Sequence, residues 1–337
     1  MSEWEGRKVL VTGATGFIGS SLTEALVGKG AEISVLARKD SPRLKCLDHL
    51  KGRIAYFYGD VRDKGVLHEA LKNQEIIYHL AAITQVIYAV KNPVISAEVN
   101  FTATLNLLEF LREEKQDAFL VYASSDKVYG EPNKLPIDES NLLLGKSPYD
   151  ATKLAGDRIC YAYHVTYGQR LAIFRGSNAY GRRDANILRA VPDFILSLLD
   201  GRQPAIRGHG RHQRDFMYID DIVSALTVLY EKNKITNGDV FNFGTSKPIS
   251  VYDLALNIIK AAGQEGKIEP LVLGKDFSGE IDTQYVSYRK ANEKFGWQPK
   301  YTLEEGLKRT IEWYRQNTWF RDVIRKTSEY YGIDKLL

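Results

Sequence analysis

The chain has 337 residues, 44% of them hydrophobic, which suffices for one large domain or two coupled domains. Its 46 Lys and Arg residues nearly balance its 42 Asp and Glu residues, and no basic block stands out, so we expect no nucleic-acid partner. The chain has no signal-peptide layout at its start and no uncharged apolar run of about 18 residues, so we expect no membrane span and a cytoplasmic protein. Cys46, Cys160 and the histidines show no ligand spacing, so we predict buried thiols and no metal site.

The first half of the chain alternates short apolar runs with amphipathic stretches. Strands are predicted at Lys8–Thr12, Glu32–Ala37, Ile54–Tyr58, Ile76–Leu80, Phe119–Ala123 and Leu171–Arg175. Helices are predicted at Phe17–Gly28, Val66–Asn73 and Thr102–Glu114. This alternation predicts the α/β class, with a doubly wound parallel sheet of Rossmann type that binds ligands beyond the carboxyl ends of its strands.

The alternation weakens after Asn178, where loops rich in Gly and Arg interrupt the helical stretches. We therefore predict a dinucleotide-binding domain over 1–177. A smaller, mainly C-terminal lobe for the substrate is predicted over 178–215 and 250–337. Segment 216–249 is predicted to return to the first domain, because Val240–Phe243 has the apolar character of one more sheet strand.

A glycine turn follows the first predicted strand and opens the first predicted helix. Its spacing is G-x-x-G-x-x-G, and a strand–turn–helix junction of this kind presents backbone N–H groups to a pyrophosphate. The candidate cofactor-binding residues of this turn are Gly13, Thr15, Gly16, Phe17, Ile18 and Gly19.

The end of the second predicted strand bears on the choice between NADP and NAD. Ala37 occupies the position where an acid commonly binds the adenosine ribose of NAD, and the cations Arg38 and Lys39 follow. Because a guanidinium can pair with a 2′-phosphate, we predict NADP. NAD remains possible if Asp40 supplies the missing acid.

Two further segments are predicted to line the cofactor. We expect the first to contact the adenine and the second to run along the phosphates and ribose. They are Asp60-Val61, after the third strand, and Leu80-Ala81-Ala82, after the fourth.

A Tyr/Lys pair lies on the next predicted helix. Ser147 and Pro148 are typical of a helix start, so Tyr149 and Lys153, four residues apart, share one face. A free tyrosine has a pKa of about 10, but a nearby ammonium and the positive ring of an oxidised nicotinamide favour the phenolate. The pair can therefore remove a hydroxyl proton while a hydride leaves the same carbon.

Together these motifs resemble the extended short-chain dehydrogenases/reductases, in the NAD-dependent epimerase/dehydratase family that acts on nucleotide sugars. The matching segments cover nearly the whole chain. They are TGATGFIG (12–19), GDV (59–61), HLAA (79–82), NFTATLNLLE (100–109), SSDKVYG (124–130), PYDATK (148–153), RGSNAYG (175–181), RDFMYIDD (214–221) and FGWQP (295–299).

The resemblance implies roles for individual residues. Ser125 would orient the substrate hydroxyl, Tyr149 would be the base and Lys153 would also hold the nicotinamide ribose. Asn100 would lie near the cofactor and this pair.

For the substrate, the resemblance implies that Asn178 and Arg214 face the diphosphate of a nucleotide-diphosphate sugar. We add Thr84 and Arg189 as further candidates for substrate binding. Asp282 and Thr283 stand where many relatives carry an arginine, so either Arg289 substitutes or the nucleotide is held differently.

The resemblance also implies a homodimer. Thr102–Glu114 and Leu154–Tyr167 carry apolar stripes that could pair between subunits. Burial within one subunit would explain these stripes equally well.

The stretch Ser125-Asp126-Lys127 separates the possible reactions. Members of the family that only epimerise carry small or unspecialised residues after the serine, whereas 4,6-dehydratases carry an acid and then a base. Asp126 and Lys127 resemble the lysine branch, which includes CDP-glucose 4,6-dehydratases. After oxidation at C4 the C5 proton is acidic, so Lys127 could remove it while Asp126 protonates the C6 hydroxyl.

Other interpretations remain open. If Asp126 and Lys127 formed only a solvated ion pair of little energetic value, the chain would be a UDP-hexose 4-epimerase or a 4-keto reductase with the same Ser125, Tyr149 and Lys153. A regulatory protein that binds NADP without catalysis is a third interpretation, which the intact serine, tyrosine and lysine oppose.

Overall fold

The computed structural model of the chain describes residues 3–274 and 281–332; the rest of the predicted second lobe, 275–280 and 333–337, lies outside the described residues. The strands are β1 (Lys8–Thr12), β2 (Glu32–Ala37), β3 (Ile54–Tyr58), β4 (Ile76–His79), β5 (Phe119–Ala123), β6 (Leu171–Gly176), β7 (Asn178–Tyr180), β8 (Ala205–Ile206), β9 (Gln213–Arg214), β10 (Phe216–Tyr218), β11 (Val240–Phe243), β12 (Ile249–Ser250), β13 (Leu271–Val272) and β14 (Thr283–Gln284).

The helices flank and follow these strands in chain order. They are α1 (Phe17–Gly28), α2 (Lys64–Leu71), α3 (Val86–Lys91), α4 (Pro93–Ala97), α5 (Ala103–Glu113), α6 (Pro148–Tyr167), α7 (Ala190–Leu199), α8 (Ile219–Glu231), α9 (Asn233–Thr236), α10 (Val251–Ala261), α11 (Arg289–Phe295), α12 (Leu303–Gln316) and α13 (Phe320–Tyr331). Short 3₁₀ helices lie at Pro42–Leu50 and Asp126–Tyr129, and a π-helical turn lies at Glu98–Thr102. Among the residues that the structure describes, no helix combines the length and the apolar character that a bilayer span requires.

The main sheet has seven parallel strands in the order β11-β6-β5-β4-β1-β2-β3, which confirms the predicted doubly wound fold. The predicted strand bounds differ by at most one residue, and Val240–Phe243 pairs with β6 as an edge strand. Helix α2 begins two residues earlier than predicted because Asp63 accepts hydrogen bonds from the backbone N–H groups of Gly65 and Val66.

Alternation along the strands divides the core into two layers. Val9 and Val11 of β1 join a cluster that includes residues of α1 and α8, whereas Leu10 joins one that includes residues of α2, α5 and α6. Successive side chains of a strand point to opposite faces, so both faces of the sheet are covered. The free thiols of Cys46 and Cys160 are buried, one in each layer.

A crevice is expected where the strand order reverses, between β1 and β4. Thr12, at the end of β1, bridges this point: its Oγ1 lies 2.8 Å from Nδ1 of His79 and accepts a hydrogen bond from the backbone N–H of Ala81 at 3.2 Å. The other ring nitrogen of His79 lies 3.1 Å from Oγ1 of Thr104. This network fixes the segment that leaves β4 against the glycine turn.

The second half of the chain adds a three-stranded sheet beside the carboxyl end of β5. Its order is β12-β9-β14, and Arg214 of β9 is in register with Gln284 of β14. The amide nitrogen of Gln284 donates to the backbone carbonyls of Asp126 and Gly130, at 3.2 and 3.0 Å. The small sheet is thereby attached to the loop that follows β5.

A buried ion pair attaches helix α6 to the sheet. Arg175 of β6 and Asp157 of α6 form two hydrogen bonds of 2.8 Å, and both side chains are at most 2% exposed. Arg175 also donates to the Tyr129 hydroxyl, which donates to Asn242 of β11, both at 2.8 Å. Every nitrogen of the Arg175 guanidinium therefore has a partner, and the network connects four segments that are distant in sequence.

Replacing Asp157 by Asn is expected to lower the free energy of unfolding by about 3–5 kcal/mol, because it leaves the Arg175 charge buried without its counter-ion. Asp117→Asn is the matched control, since Asp117 pairs with Arg170 while 77% exposed, and surface pairs contribute at most about 1 kcal/mol. Urea unfolding of both variants measures the difference. Equal losses in the two variants would contradict the assigned importance of the buried pair.

Candidate active site

The glycine turn leaves space that a side chain would fill. Gly13 has φ +71°, and a Cβ built on it would lie 2.7 Å from the backbone nitrogen of Ala81. A Cβ on Gly19 would collide with the carbonyl of Gly13. The first glycine therefore permits the tight turn beside β4, and the third permits α1 to pack closely against it.

Helix α1 starts at this turn without a side-chain acceptor. Its N-cap is Gly16, which makes no side-chain cap, and its first turn contains no acidic residue. The first N–H groups of a helix have no partner within the helix and favour an anion. Phe17 and Ile18 begin the helix, and Thr15 is buried in the turn. The turn therefore fits the pyrophosphate of a dinucleotide.

Arg38, just after β2, is held by the last described helix. Its guanidinium carbon lies 4.7 Å from the ring centroid of Tyr330, and its Nη2 donates to the Tyr331 hydroxyl at 3.3 Å. Lys39 is exposed. Sequence reasoning missed these tyrosines, because they lie about 290 positions away and no local pattern marks them.

The two other predicted cofactor segments differ in their surroundings. Both carboxylate oxygens of Asp60 accept hydrogen bonds from Arg62, at 3.0 and 3.1 Å, and Val61 is buried. Leu80, Ala81 and Ala82 leave β4 half-buried beside the glycine turn.

Asn100 holds the segment beyond β4. Its side-chain oxygen accepts from the backbone N–H of Ile83 at 2.8 Å, and its side-chain nitrogen donates to the carbonyl of the same residue at 3.2 Å. The nitrogen also donates to Oγ1 of Thr152 at 3.0 Å. Asn100 is 1% exposed, so it fixes this segment relative to α6, where Thr152 directly precedes Lys153.

Helix α6 carries the Tyr/Lys pair and starts as predicted. Ser147 is the N-cap, Pro148 follows, and the Ser147 and Asp150 side chains form a reciprocal capping box. Lys153 is 4% exposed, donates to the carbonyl of Ala123 and lies 4.5 Å from the ring centroid of Tyr122. Burial lowers the pKa of Lys153 to about 8.

Tyr149 is buried, which acts against ionisation of its phenol. Burial raises the pKa of Tyr149 to about 12, while the neighbouring Ser125 hydroxyl and the charge of Arg189 act in the opposite direction. A positive charge beside the phenol would stabilise the phenolate. An oxidised nicotinamide ring carries such a charge, so the base is expected to form only in the loaded enzyme.

Asp126 and Lys127 lie inward beside Ser125. Asp126 is 2% exposed, and its carboxylate accepts from Oγ of Ser125 at 3.1 Å and from Nζ of Lys127 at 3.4 Å. The Lys127 side chain is 24% exposed, and its Nζ also donates to the side-chain oxygen of Gln284. Burial lowers the pKa of Lys127. The geometry is not that of a solvated surface ion pair.

Two of the predicted substrate-binding residues are arginines that lie near the reactive groups. Positive charge on Arg189 lowers the pKa of Tyr149, and positive charge on Arg214 lowers that of Lys127. Arg189 pairs with Asp184 at 3.2 Å, and Nη1 of Arg214 donates to the backbone carbonyl of Asp282 at 3.1 Å. These contacts hold both guanidinium groups beside the candidate site.

The remaining candidates lie at the margins of this cluster. The Asn178 side chain donates to the carbonyl of Asp215 at 3.2 Å, and Thr84 is exposed after the segment that leaves β4. Arg289 starts α11 with a side chain 73% exposed and 3.8 Å from Glu293, so it does not join the arginines near Tyr149 and Lys127.

Fold and site together define a class: a dinucleotide-dependent enzyme whose Ser/Tyr/Lys group lies at the carboxyl edge of a doubly wound sheet. Residues 10–310 match the family model described as GDP-mannose 4,6 dehydratase. The chain therefore belongs to that family, within the NAD-dependent epimerase/dehydratase group of extended short-chain dehydrogenases/reductases.

The chain is similar to family members with different reactions. It is 34% identical to a putative UDP-glucose 4-epimerase of Methanocaldococcus jannaschii, over 92% of this chain and 99% of that protein. It is 31% identical to the dTDP-D-glucose 4,6-dehydratase of Homo sapiens, over 92% and 91% of the two chains. The crystal structure of a Bacillus anthracis dTDP-glucose 4,6-dehydratase in complex with NAD superposes with a TM-score of 0.82, at 26% identity over 94% and 100%. The protein is thus an enzyme of the nucleotide-sugar dehydratase/epimerase family.

Replacing Gly13 by Ala is expected to raise the Kd for the dinucleotide by roughly tenfold or more, because a side chain at positive φ and the approach to Ala81 each introduce strain of about 1–3 kcal/mol. Gly28→Ala is the control, since a Cβ there meets nothing within 4 Å. Isothermal titration calorimetry measures both. Unchanged affinity in the Gly13 variant would contradict the assignment of this turn to the cofactor.

Proposed function

We propose that the enzyme is a nucleotide-sugar 4,6-dehydratase, which converts an NDP-hexose to an NDP-4-keto-6-deoxyhexose. The observation that carries the proposal is the pair formed by the buried Asp126 and the partly buried Lys127, hydrogen-bonded to each other and, through Asp126, to Ser125. Redox chemistry at C4 needs only the serine, the tyrosine and Lys153. Asp126 and Lys127 provide an additional acid and base, which the elimination of water requires and C4 oxidation does not.

The side chains divide the proton transfers among them. Tyr149 removes the proton of the C4 hydroxyl, which Ser125 orients, and Lys127 removes the proton of C5. Asp126 protonates the C6 hydroxyl, so the C6–O bond breaks and water leaves. A bound nicotinamide would supply the hydride chemistry, by accepting a hydride from C4 and returning it to C6. A proton returned to C5 completes the balance, and the net loss is one water.

The required protonation states are accessible within the pair. An ammonium beside a carboxylate and a neutral amine beside a carboxylic acid contain the same number of protons, so the pair can adopt either form without taking up or releasing a proton. Burial favours the neutral pair. Burial is also the main cause that lowers the pKa of Lys127. The charge of Asp126 raises this pKa, and the charge of Arg214 lowers it further.

A 4-epimerase is the second candidate, favoured by the similarity to the putative UDP-glucose 4-epimerase of Methanocaldococcus jannaschii. An epimerase would use Ser125, Tyr149 and Lys153 and leave the mass of the sugar unchanged. The third interpretation, NADP binding without catalysis, leaves the buried Lys153 and the Asp126–Lys127 pair without a use.

Incubation with UDP-, dTDP-, CDP- and GDP-hexoses, without added reductant, is expected to give a product lighter by one water in mass spectrometry. Lys127→Met is expected to slow this loss by roughly 100-fold or more, the contribution of a positioned base. It should still permit partial C4 oxidation, seen as reduced-nicotinamide absorbance. Lys146→Met is the control, because Lys146 is 62% exposed and pairs with Glu131.

The outcomes separate the candidates. An isomer of unchanged mass from the wild-type enzyme would favour the epimerase. Dehydration at a near-normal rate in the Lys127 variant would exclude Lys127 as the base. Tight cofactor binding without turnover of any sugar nucleotide would favour the regulatory interpretation.

We further propose NADP as the preferred cofactor, on the ground that Ala37 lacks a carboxylate and the Arg38 guanidinium follows it. The similar dehydratase of Bacillus anthracis was solved with NAD. The proposed preference for NADP therefore rests on Ala37 and Arg38 of this chain and not on that relative. In this structure Arg38 contacts Tyr330 and Tyr331, and a 2′-phosphate would offer it a stronger, charged acceptor.

Arg38→Met is expected to raise the Kd for NADP by about tenfold or more while leaving that for NAD within about twofold, because a charged hydrogen bond contributes about 1.5–3 kcal/mol. Lys39→Met is the control for a nearby exposed cation. Fluorescence titration with both dinucleotides measures the ratio. Equal effects on the two would argue that Arg38 serves packing alone.

We also propose a homodimer. Helix α6 exposes Tyr161, Val165 and Tyr167, with exposed fractions of 42%, 63% and 57%. A partner subunit would remove this apolar surface from water.

A further inference from the structure

The side chain of Gln284 reaches the reactive lysine from the other lobe. It is 0% exposed and is separated by 157 positions from Lys127, whose Nζ donates to its Oε1. Its strand, β14, pairs with β9, where Gln284 is in register with Arg214. One buried amide therefore connects a strand of the small sheet with the amine that we propose as the base.

The hydrogen bonds determine which way this amide points. Nε2 of Gln284 donates to the carbonyls of Asp126 and Gly130, at 3.2 and 3.0 Å. Rotating the amide by 180° would place its oxygen against two carbonyls and its NH₂ against the amine of Lys127. Since an amide has acceptors only on oxygen and donors only on nitrogen, the orientation seen is the one that satisfies every group.

We propose that Gln284 is a positioning residue that aims the lone pair of the Lys127 amine at the substrate. The inference rests on the proposed dehydratase function and adds to it a residue outside the Ser-Asp-Lys and Tyr/Lys motifs. Gln284 acts on the substrate through Lys127.

The geometry follows from the number of N–H bonds on a neutral amine. Such an amine has two N–H groups and one lone pair in a tetrahedral arrangement. Asp126 and Gln284 provide two acceptors for Nζ of Lys127. When both N–H groups are bound, the lone pair points in the one remaining direction. With a single acceptor the amine could rotate about its Cε–Nζ bond, and the lone pair would lose its direction.

The charged groups around the Lys127 amine also affect its protonation. Asp126 and Asp150 favour the ammonium, and Arg214 opposes it. Gln284 adds an uncharged acceptor, which orients the amine without the strong stabilisation of the ammonium that a carboxylate would give. A glutamate at this position would therefore keep Lys127 protonated.

The test uses the full-length enzyme with bound cofactor and compares Gln284→Met with Gln116→Met. Gln116 is a matched control because its Nε2 also donates to two backbone carbonyls, those of Leu71 and Gln74, at 2.8 Å each. Gln284→Met is expected to slow water loss and the exchange of the C5 proton with D₂O by roughly 10- to 100-fold, the cost of a misplaced group. C4 oxidation, followed by nicotinamide absorbance, should stay within about twofold of the wild-type rate in both variants.

Gln284→Glu supplies a second readout that loss of packing alone would not produce. It is expected to shift the acidic limb of the pH profile for water loss to higher pH, since a carboxylate favours the ammonium of Lys127. The pH dependence of Lys127 acetylation, read by peptide mass spectrometry without substrate, should shift in the same direction.

The outcomes distinguish this inference from the proposed function. If the wild-type enzyme shows neither water loss nor C5 exchange, the dehydratase function is wrong. The role of Lys127 as base, and with it the role of Gln284 in positioning Lys127, is then wrong as well. Water loss in the wild-type enzyme with equal slowing of oxidation and elimination in Gln284→Met would overturn the positioning role alone. An acetylation profile of Lys127 unchanged in Gln284→Glu would also overturn it, even if Gln284→Met fails to fold.

Discussion

The position of helix α6 depends on the ion pair between Arg175 and Asp157, which is buried beneath the active edge of the sheet. The same helix carries Tyr149 about two turns before Asp157 and Lys153 about one turn before it. A buried guanidinium needs both its counter-ion and its remaining hydrogen bonds, and here Tyr129 supplies another acceptor. Because Tyr129 ends the turn that contains Asp126 and Lys127, one interaction sets the relative position of both pairs of reactive residues.

Burial shifts the pKa values of the proposed reactive groups and makes their charged forms depend on neighbouring groups. It raises the pKa of Tyr149 and lowers those of Lys153 and Lys127. Each group then relies on a neighbouring hydrogen bond or charge, and for Tyr149 the missing positive charge is one that an oxidised nicotinamide would bring. Under the proposed function, a cofactor on the glycine turn and a substrate beside Lys127 would complete these surroundings.

Relatives with a shared fold perform epimerisation and dehydration, so the sheet and the Ser/Tyr/Lys group do not determine which reaction follows C4 oxidation. In this chain the difference is expected in the turn after β5 and in the small sheet that contacts it. Asp126 and Lys127 come from the first, and Gln284 and Arg214 come from the second. The structure brings Gln284 and Arg214, from two distant strands, to the short segment that contains Asp126 and Lys127.

The sequence by itself determined the strand–helix alternation, the glycine turn, the cap of α6 and the Tyr/Lys spacing, because each depends on residues within a few positions of one another. Local patterns also placed Asp126 and Lys127 beside Ser125, but they could not show whether those side chains face solvent. Only the tertiary structure decided that Asp126 is buried and Lys127 partly buried, that Gln284 binds Lys127 across 157 positions, and that Tyr331 binds Arg38 across 293. Such contacts arise from the packing of distant elements, and no periodicity or spacing along the chain encodes which polar side chains will meet.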